Sequence, residues 1–278
     1  MESRRTDWVL IAPATAVFAL LFVGASVYFF VVSFWSVRFY RLTPDFTFKN
    51  YVTAVTTHGE SLGLTLAIAF TIATVATLLG FLYAWIIRFQ AGRWGPVLLF
   101  IALVTLFGGY LMKIYAWKTI LGGEGVLNSA FMALGLISRP MEALLYSPFA
   151  VIVSLTHFLL PFAILPIYSA MRGLTDAEVE SARDLGAGGW RLLCDVIIPR
   201  SRSGIIAGFG LCFLVSAGDY ITPILVGGKM SMYGQMISPQ FGSFFNWPLG
   251  AAMSFTILAI SLAILAAVAR ALALVGRQ

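Results

Sequence analysis

The chain has 278 residues, 60% of them hydrophobic and only 11% Asp, Glu, Lys or Arg, with a formal charge of +6. So few charges cannot cover a water-exposed surface, where about a quarter of residues are normally charged, and two cysteines, Cys194 and Cys212, exclude a disulfide scaffold. The arginines lie in short segments between apolar runs, which points away from nucleic acid and toward a membrane topology.

Residues 1–9 carry Arg4 and Arg5, and the uncharged run from Trp8 to Val37 that follows far exceeds a signal-peptide core. It reads as a retained first span, 10–33. Further spans are expected at 62–87, 96–118, 148–171, 204–226 and 248–270, each able to supply the roughly 20 residues that cross the hydrocarbon layer. No strict alternation suggests a β-barrel. In the third span Lys113 and Lys118 must snorkel or face protein. Gly122, Gly123 and Gly125 then break the chain, and 126–137 is too short to cross, so it is expected as a short helix lying on the interface or re-entering it. With the N-terminus inside, eleven of the 18 Lys and Arg residues fall on the inner side. This bias predicts both termini, the loop 173–199 and the tail 271–278 to be cytoplasmic.

That loop, between the fourth and fifth spans, is the most charged part of the chain. Thr175 and Glu178 form a capping-box pair, and Leu174 and Val179 a hydrophobic staple around it. Asp176 and Glu178 suit a helix N-terminus. The helix passes through Glu180, Ser181, Ala182, Arg183 and Asp184, and Gly186 is expected to stop it in the left-handed conformation. A second short helix is expected from Trp190 to Val196, with Arg191 and Asp195 paired at i,i+4 and Pro199 limiting its length. Physically the loop is either a plain interfacial connector or an element that carries motion from a soluble partner into the bundle.

The segment Glu180-Ser181-Ala182, Gly186, and Val196, Ile198 and Pro199 at their spacings resembles the signature loop of the membrane subunits of bacterial ATP-binding-cassette (ABC) importers. Ser181 stands for an alanine, Val196 for isoleucine and Ile198 for leucine. The opening Trp8 to Pro13, the run Ser216 to Pro223 with Gly227 and Gly228, and Asn246-Trp247-Pro248 resemble the spermidine/putrescine permease branch, in particular the first of its two permeases. Related branches carry iron, phosphonates, opines or sugars.

The resemblance implies an all-α polytopic membrane protein, a six-transmembrane-helix, type I-like ABC importer permease with a cytoplasmic coupling loop. It implies a bacterial inner-membrane location, no cofactor on this chain, and ATP and Mg2+ used by a partner ABC ATPase dimer. The chain has no Gly-rich phosphate loop of its own. Further implied partners are a second homologous permease, an extracytoplasmic binding protein and a polyamine or other small cation. Thr175, Glu178, Glu180, Ser181, Ala182, Asp184, Gly186, Ile198 and Pro199 would then couple to the ATPase.

Asp219 is the one acidic residue of the fifth window. It either attracts a cationic cargo or caps backbone near Gly218 and Thr222. Tyr110, Tyr115, Trp117 and Tyr220 read as interface anchors or as aromatic faces along a cation path. Pro161 and Pro166 are gating points or fixed kinks in the fourth span. His58 and His157 form no metal-ligand pattern. An intramembrane enzyme lacks a polar constellation, and a secondary transporter would be expected to show two related halves.

Overall fold

The computed structural model describes residues 12–275. Residues 1–9, with Arg4, Arg5 and Trp8, and the last three residues of the expected tail, with Arg277, lie outside them.

In chain order the elements are α1 (Ala12–Val32), β1 (Ser36–Arg38), β2 (Arg41–Thr43), α2 (Lys49–Thr56), α3 (Gly59–Trp85, carried on by a π-helical segment Ile86–Gln90), α4 (Gly95–Phe107), α5 (Tyr110–Leu121), α6 (Val126–Ala133), α7 (Pro148–Arg172), α8 (Asp176–Asp184), α9 (Ile198–Gly218), α10 (Ile221–Val226), α11 (Tyr233–Phe241) and α12 (Trp247–Val275). α9 continues without interruption from Gly189–Arg191 and a π-helical segment Leu192–Ile197. Among the described residues five helices are long and apolar enough to cross a membrane, six if the bent pair α4 and α5–α6 counts as one span.

The third expected span is thus not a single helix. Gly108 and Gly109 are extended, with ψ of 120° and 137°, and the chain turns there through 97°. Two adjacent glycines remove the side-chain constraint that would keep the backbone helical. The fifth expected span, 204–226, is also broken, because Asp219 is extended at the end of α9 and α10 begins two residues later.

The chain divides into two units. In the first, Met1–Glu60 with Met236–Leu258, Phe29 lies 5.9 Å from Phe241 and 6.3 Å from Trp247, and Phe30 meets Phe255 edge-on at 5.1 Å. Such aromatic pairs add to packing beyond plain burial. The antiparallel hairpin β1–β2 pairs Ser36 with Thr43, Val37 with Leu42 and Arg38 with Arg41. The Asn50 amide donates to the Ser33 and Trp35 carbonyls, both at 2.8 Å, and ties α2 to the segment between α1 and β1.

In the second unit, Ser61–Gln235 with Ala259–Gln278, α7 lies along α9. A Cβ on Gly204 would strike the Pro166 carbonyl and come within 2.8 Å of the Ala170 Cβ, and one on Gly208 would meet the Ala163 carbonyl at 3.1 Å. On the other side of Ala163, a Cβ on Gly80 of α3 would reach its Cβ at 2.8 Å. Small residues therefore bring three helices into backbone contact, the packing that works where lipid offers no hydrophobic drive for helix association. α7 stays one helix through Pro161 and Pro166. The segment 126–137 contains α6, held by Asn128. Its buried amide donates to the Gly122 carbonyl at 2.9 Å and accepts from Met141 N–H at 2.8 Å.

Candidate functional site

The loop between α7 and α9 is ordered by local chemistry first. Thr175 has the extended backbone of an N-cap, with φ −79° and ψ 153°. Its Oγ1 accepts from Glu178 N–H at 3.3 Å, and its own N–H donates to Glu178 Oε2 at 2.8 Å. Both halves of the capping box are present, and each satisfies a donor that a helix N-terminus leaves open. Leu174 and Val179, on either side of the cap, are buried. The Thr175 backbone bond, then its hydroxyl, then Arg200 hold the Glu178 carboxyl below the usual carboxylate range.

At the other end of α8, Gly186 has φ +86°, N–H of Gly186 reaches the Arg183 carbonyl at 2.8 Å, and N–H of Ala187 reaches the Ala182 carbonyl at 3.0 Å. This is a Schellman closure.

Two arginines distant in sequence then clamp the helix. Arg88, in the π segment ending α3, donates to the Leu174 carbonyl at 2.9 Å and to Asp176 Oδ1 at 2.6 Å. Arg200, at the start of α9, donates to Glu178 Oε1 at 2.5 Å. Charge-assisted bonds of this kind are the stronger class of hydrogen bond. Sequence reasoning counted both arginines only as inner-side charges, and their pairing with α8 carries no local signal.

Two expectations for the following segment are corrected. The helix does not stop at Pro199, since residues 189–218 form one helix. The π-helical hydrogen bonds just before the proline, such as Ile198 N–H to the Leu193 carbonyl, widen the turn where an α-helical ladder would meet the ring. The widened turn also breaks the i,i+4 alignment, and Arg191 and Asp195 form no ion pair. Of the remaining loop residues, Glu180, Ser181 and Asp184 are exposed, Ala182 is half-buried, and Ile198 and Pro199 are half-buried at the start of α9.

A second cluster forms where the two broken helices meet. Asp219 Oδ1 accepts from the Tyr110 hydroxyl at 2.5 Å, from Ile221 N–H at 3.1 Å and from Thr222 N–H at 3.4 Å. Tyr110 also bonds the Thr222 hydroxyl at 2.8 Å. Asp219 therefore caps α10, and Tyr110, the first residue after the Gly108–Gly109 break, ties one break to the other. Asp219 Oδ2 is buried and has no partner.

The other aromatic candidates do not join this cluster in one way. Tyr220 is adjacent and exposed, Tyr115 is exposed, and Trp117 Nε1 donates to His157 Nδ1 at 3.2 Å. Lys113 turns inward: its Nζ donates to the Thr105 carbonyl at the end of α4 and stands 5.4 Å from the Phe158 ring. Lys118 lies 5.9 Å from the Tyr146 ring.

Residues 89–275 match the family model for the binding-protein-dependent transport system inner membrane component. The spermidine/putrescine transport system permease protein PotB of Escherichia coli K12 is 38% identical over 188 residues, covering 67% of this chain and 68% of the relative. The protein of that name in Haemophilus influenzae is 38% identical over 185 residues, 66% and 64% of the two chains. A chain of a bacterial ABC transporter that imports the polysaccharide alginate superposes with a TM-score of 0.72 over 97% of both chains at 16% identity, a likeness of fold. The helices, the match over most of the chain and these relatives agree: the chain belongs to the inner-membrane component family of binding-protein-dependent transport systems, as a multi-pass, non-catalytic ABC permease of the inner membrane.

Proposed function

We propose that this permease imports polyamines, spermidine and putrescine, and that α8 is the element through which a separate ATPase drives it. The observation that carries the coupling reading is the clamping of α8: capped at both ends and held to α3 through Arg88 and to α9 through Arg200. A helix fixed in this way moves as a body, so a push on it is transmitted to two long helices rather than absorbed in the loop.

In this reading the loop 173–199 and both termini are cytoplasmic. Ser181, Ala182 and Asp184 offer the surface that an ABC ATPase dimer receives. Thr175, Glu178, Gly186, Ile198 and Pro199 shape that surface, and Glu180 supports it from its side of the helix. ATP and Mg2+ are used by that dimer, a second homologous permease completes the path, and an extracytoplasmic binding protein delivers cargo.

The relatives' names support a polyamine cargo, and Asp219 has matching chemistry. Its Oδ1 is satisfied by three donors, which orients the carboxylate, and its Oδ2, buried in this structure, has no donor and would take an ammonium group once exposed. Tyr110 bonds Oδ1 and Tyr220 follows Asp219 in the chain, and Tyr115 and Trp117 add aromatic faces further along α5. The test is uptake of labelled spermidine and putrescine into proteoliposomes holding the reconstituted transporter and its binding protein. ATP-dependent accumulation is expected. Uptake without any ATPase would overturn the coupling reading, and tight capture of iron or a phosphonate with no response to polyamines would overturn the cargo.

A further inference from the structure

The hairpin that follows α1 is built against its own local chemistry. It turns on Phe39 and Tyr40, both left-handed, with φ of 48° and 59°. A two-residue hairpin turn asks for that conformation, and asparagine and glycine are the residues that adopt it readily. Bulky aromatic residues there are strained. The two side chains are 98% and 84% exposed, so no packing within the described chain offsets that strain. Beneath the turn Arg38 stands directly opposite Arg41, a like-charged cross-strand pair that is unfavourable by itself. Asp45 reaches Arg38 at 3.4 Å, and among the described residues Arg41 has no ion-pair partner.

The apolar display continues into α2. Phe48, Val52 and Val55 are exposed, and their spacing of four and then three puts them on one side of the helix. Phe34, just past the end of α1, meets Phe46 at 6.3 Å and Phe48 at 5.4 Å, so these rings join on to the span. Chain length then sets their depth. α1 has 21 described residues, about 31 Å at the helical rise, and the hydrocarbon core is about 30 Å thick. β1 begins at Ser36, four residues after Val32. The hairpin therefore starts at the level of the lipid headgroups, a layer about 5–7 Å deep on each side. Trp247, which opens α12 and stacks on Phe29 at 6.3 Å, marks the same level.

We propose that residues 36–55 anchor the end of α1 on the phospholipid surface. Phe39 and Tyr40 sit at the boundary between headgroups and acyl chains, and a lipid phosphate binds Arg41 beside Arg38. α2 lies along the surface with Phe48, Val52 and Val55 toward the acyl chains and Lys49 reaching a phosphate. One neighbour thus answers each oddity of the hairpin. The rings gain a boundary that suits them, and the phosphate turns a repulsive arginine pair into charge-assisted hydrogen bonds. Lipid is the occupant rather than a protein because the depth of the segment places it there. Its charge agrees, with Arg38, Arg41 and Lys49 against Asp45 alone, because apolar area plus cationic side chains is the combination that binds an interface. The inference is independent of cargo and of ATPase coupling, because contact with lipid is measured without transport.

The test is spin labelling of the full chain, purified with its co-purifying subunits, in nanodiscs of phosphatidylethanolamine and phosphatidylglycerol. Nitroxides are placed at Phe39→Cys, Tyr40→Cys and Val52→Cys in a Cys194→Ser background, and Val52→Cys leaves the hairpin untouched. Collision with oxygen, which concentrates in lipid, is compared with collision with a water-soluble nickel chelate. Oxygen contact is expected to exceed nickel contact at all three sites, by a smaller factor than at Leu262→Cys, an exposed position on α12. Arg41→Glu gives Arg38 an opposite charge across the turn, which favours the hairpin, but it repels phosphate. It is expected to cut the oxygen-to-nickel ratio at position 40 several-fold, while Arg41→Lys retains it. Nickel contact matching or exceeding oxygen contact would overturn the proposal, since the segment would then stand in water. Shielding from both reagents by a subunit or a binding protein would do the same, as would a ratio unchanged by Arg41→Glu.

Discussion

Gly186 separates a demand on backbone conformation from a demand on space. Its φ is +86°, and a Cβ built on it meets nothing within 4 Å. The first side-chain carbon there has open space, so the expected effect arises from holding an L-residue in the left-handed region. That strain is about 1–2 kcal/mol, and more for a β-branched side chain than for others. It acts on the turn that supplies the two closing bonds, Gly186 N–H to Arg183 and Ala187 N–H to Ala182. A strain of that size lowers the population of the ordered turn by a factor of roughly 5–30. ATP-dependent uptake by Gly186→Val should fall accordingly, while its amount in the membrane matches wild type. Gly186→Asn is the control, because asparagine tolerates the left-handed region, and it should retain most of the uptake. Wild-type uptake by the valine variant would refute the conformational argument. So would an asparagine variant as poor as valine, since the lost factor would then be room for a partner.

Other substitutions probe the remaining contacts. Thr175→Ala removes the N-cap and should cost about 1 kcal/mol of local helix stability, read as faster amide exchange over residues 176–184. Because the Glu178 carboxyl is held below its ordinary value, its contribution is complete above the ordinary carboxylate range and is lost as pH falls through the lowered one. Exchange protection of α8 should stay flat from neutral pH to about 4.3 and decline only below it, and in Arg200→Gln the decline should begin at higher pH. Gly204→Leu places a side chain where the Pro166 carbonyl and Ala170 already stand. Over-packing of this kind costs typically 1–3 kcal/mol or more, so the variant should show a lower melting temperature and poorer yield in detergent, with Leu258→Ala on an exposed position of α12 as the unaffected comparison. Asp219→Asn should reduce polyamine uptake about tenfold or more, the loss of one charge-assisted contact. Tyr110→Phe, which removes one of the three donors to Oδ1 but keeps the charge, should reduce it less.

The parts of the loop legible in advance were those written in residues close along the chain. Thr175 with Glu178, Leu174 with Val179, and Gly186 at the end of the charged run are patterns of spacing three to five or of a single special residue. The structure closes the first and the last with hydrogen bonds between near neighbours and buries Leu174 and Val179. The clamps were not legible, because Arg88 and Asp176 are 88 positions apart and Arg200 and Glu178 are 22 apart. Nothing local distinguishes these two arginines from the others counted on the same side. The two broken spans show the same limit. Gly108-Gly109 were read inside one span, because hydropathy averaged over a window does not register a 97° turn. The contact that joins the breaks, Tyr110 to Asp219, spans 109 positions.

The amino-acid sequence alone determined that the chain lives in lipid, where its apolar segments lie, and that one charged loop forms a capped helix. Each of these follows from composition or from hydrogen bonds and dihedral preferences within a few residues. Only the tertiary structure decided which arginines hold that helix, that a proline is absorbed by a π turn, and that two interrupted helices meet through a tyrosine and an aspartate. Those depend on which surfaces approach once Gly80, Gly204 and Gly208 let α3, α7 and α9 into backbone contact, and that approach is a property of the packed bundle rather than of any stretch of chain.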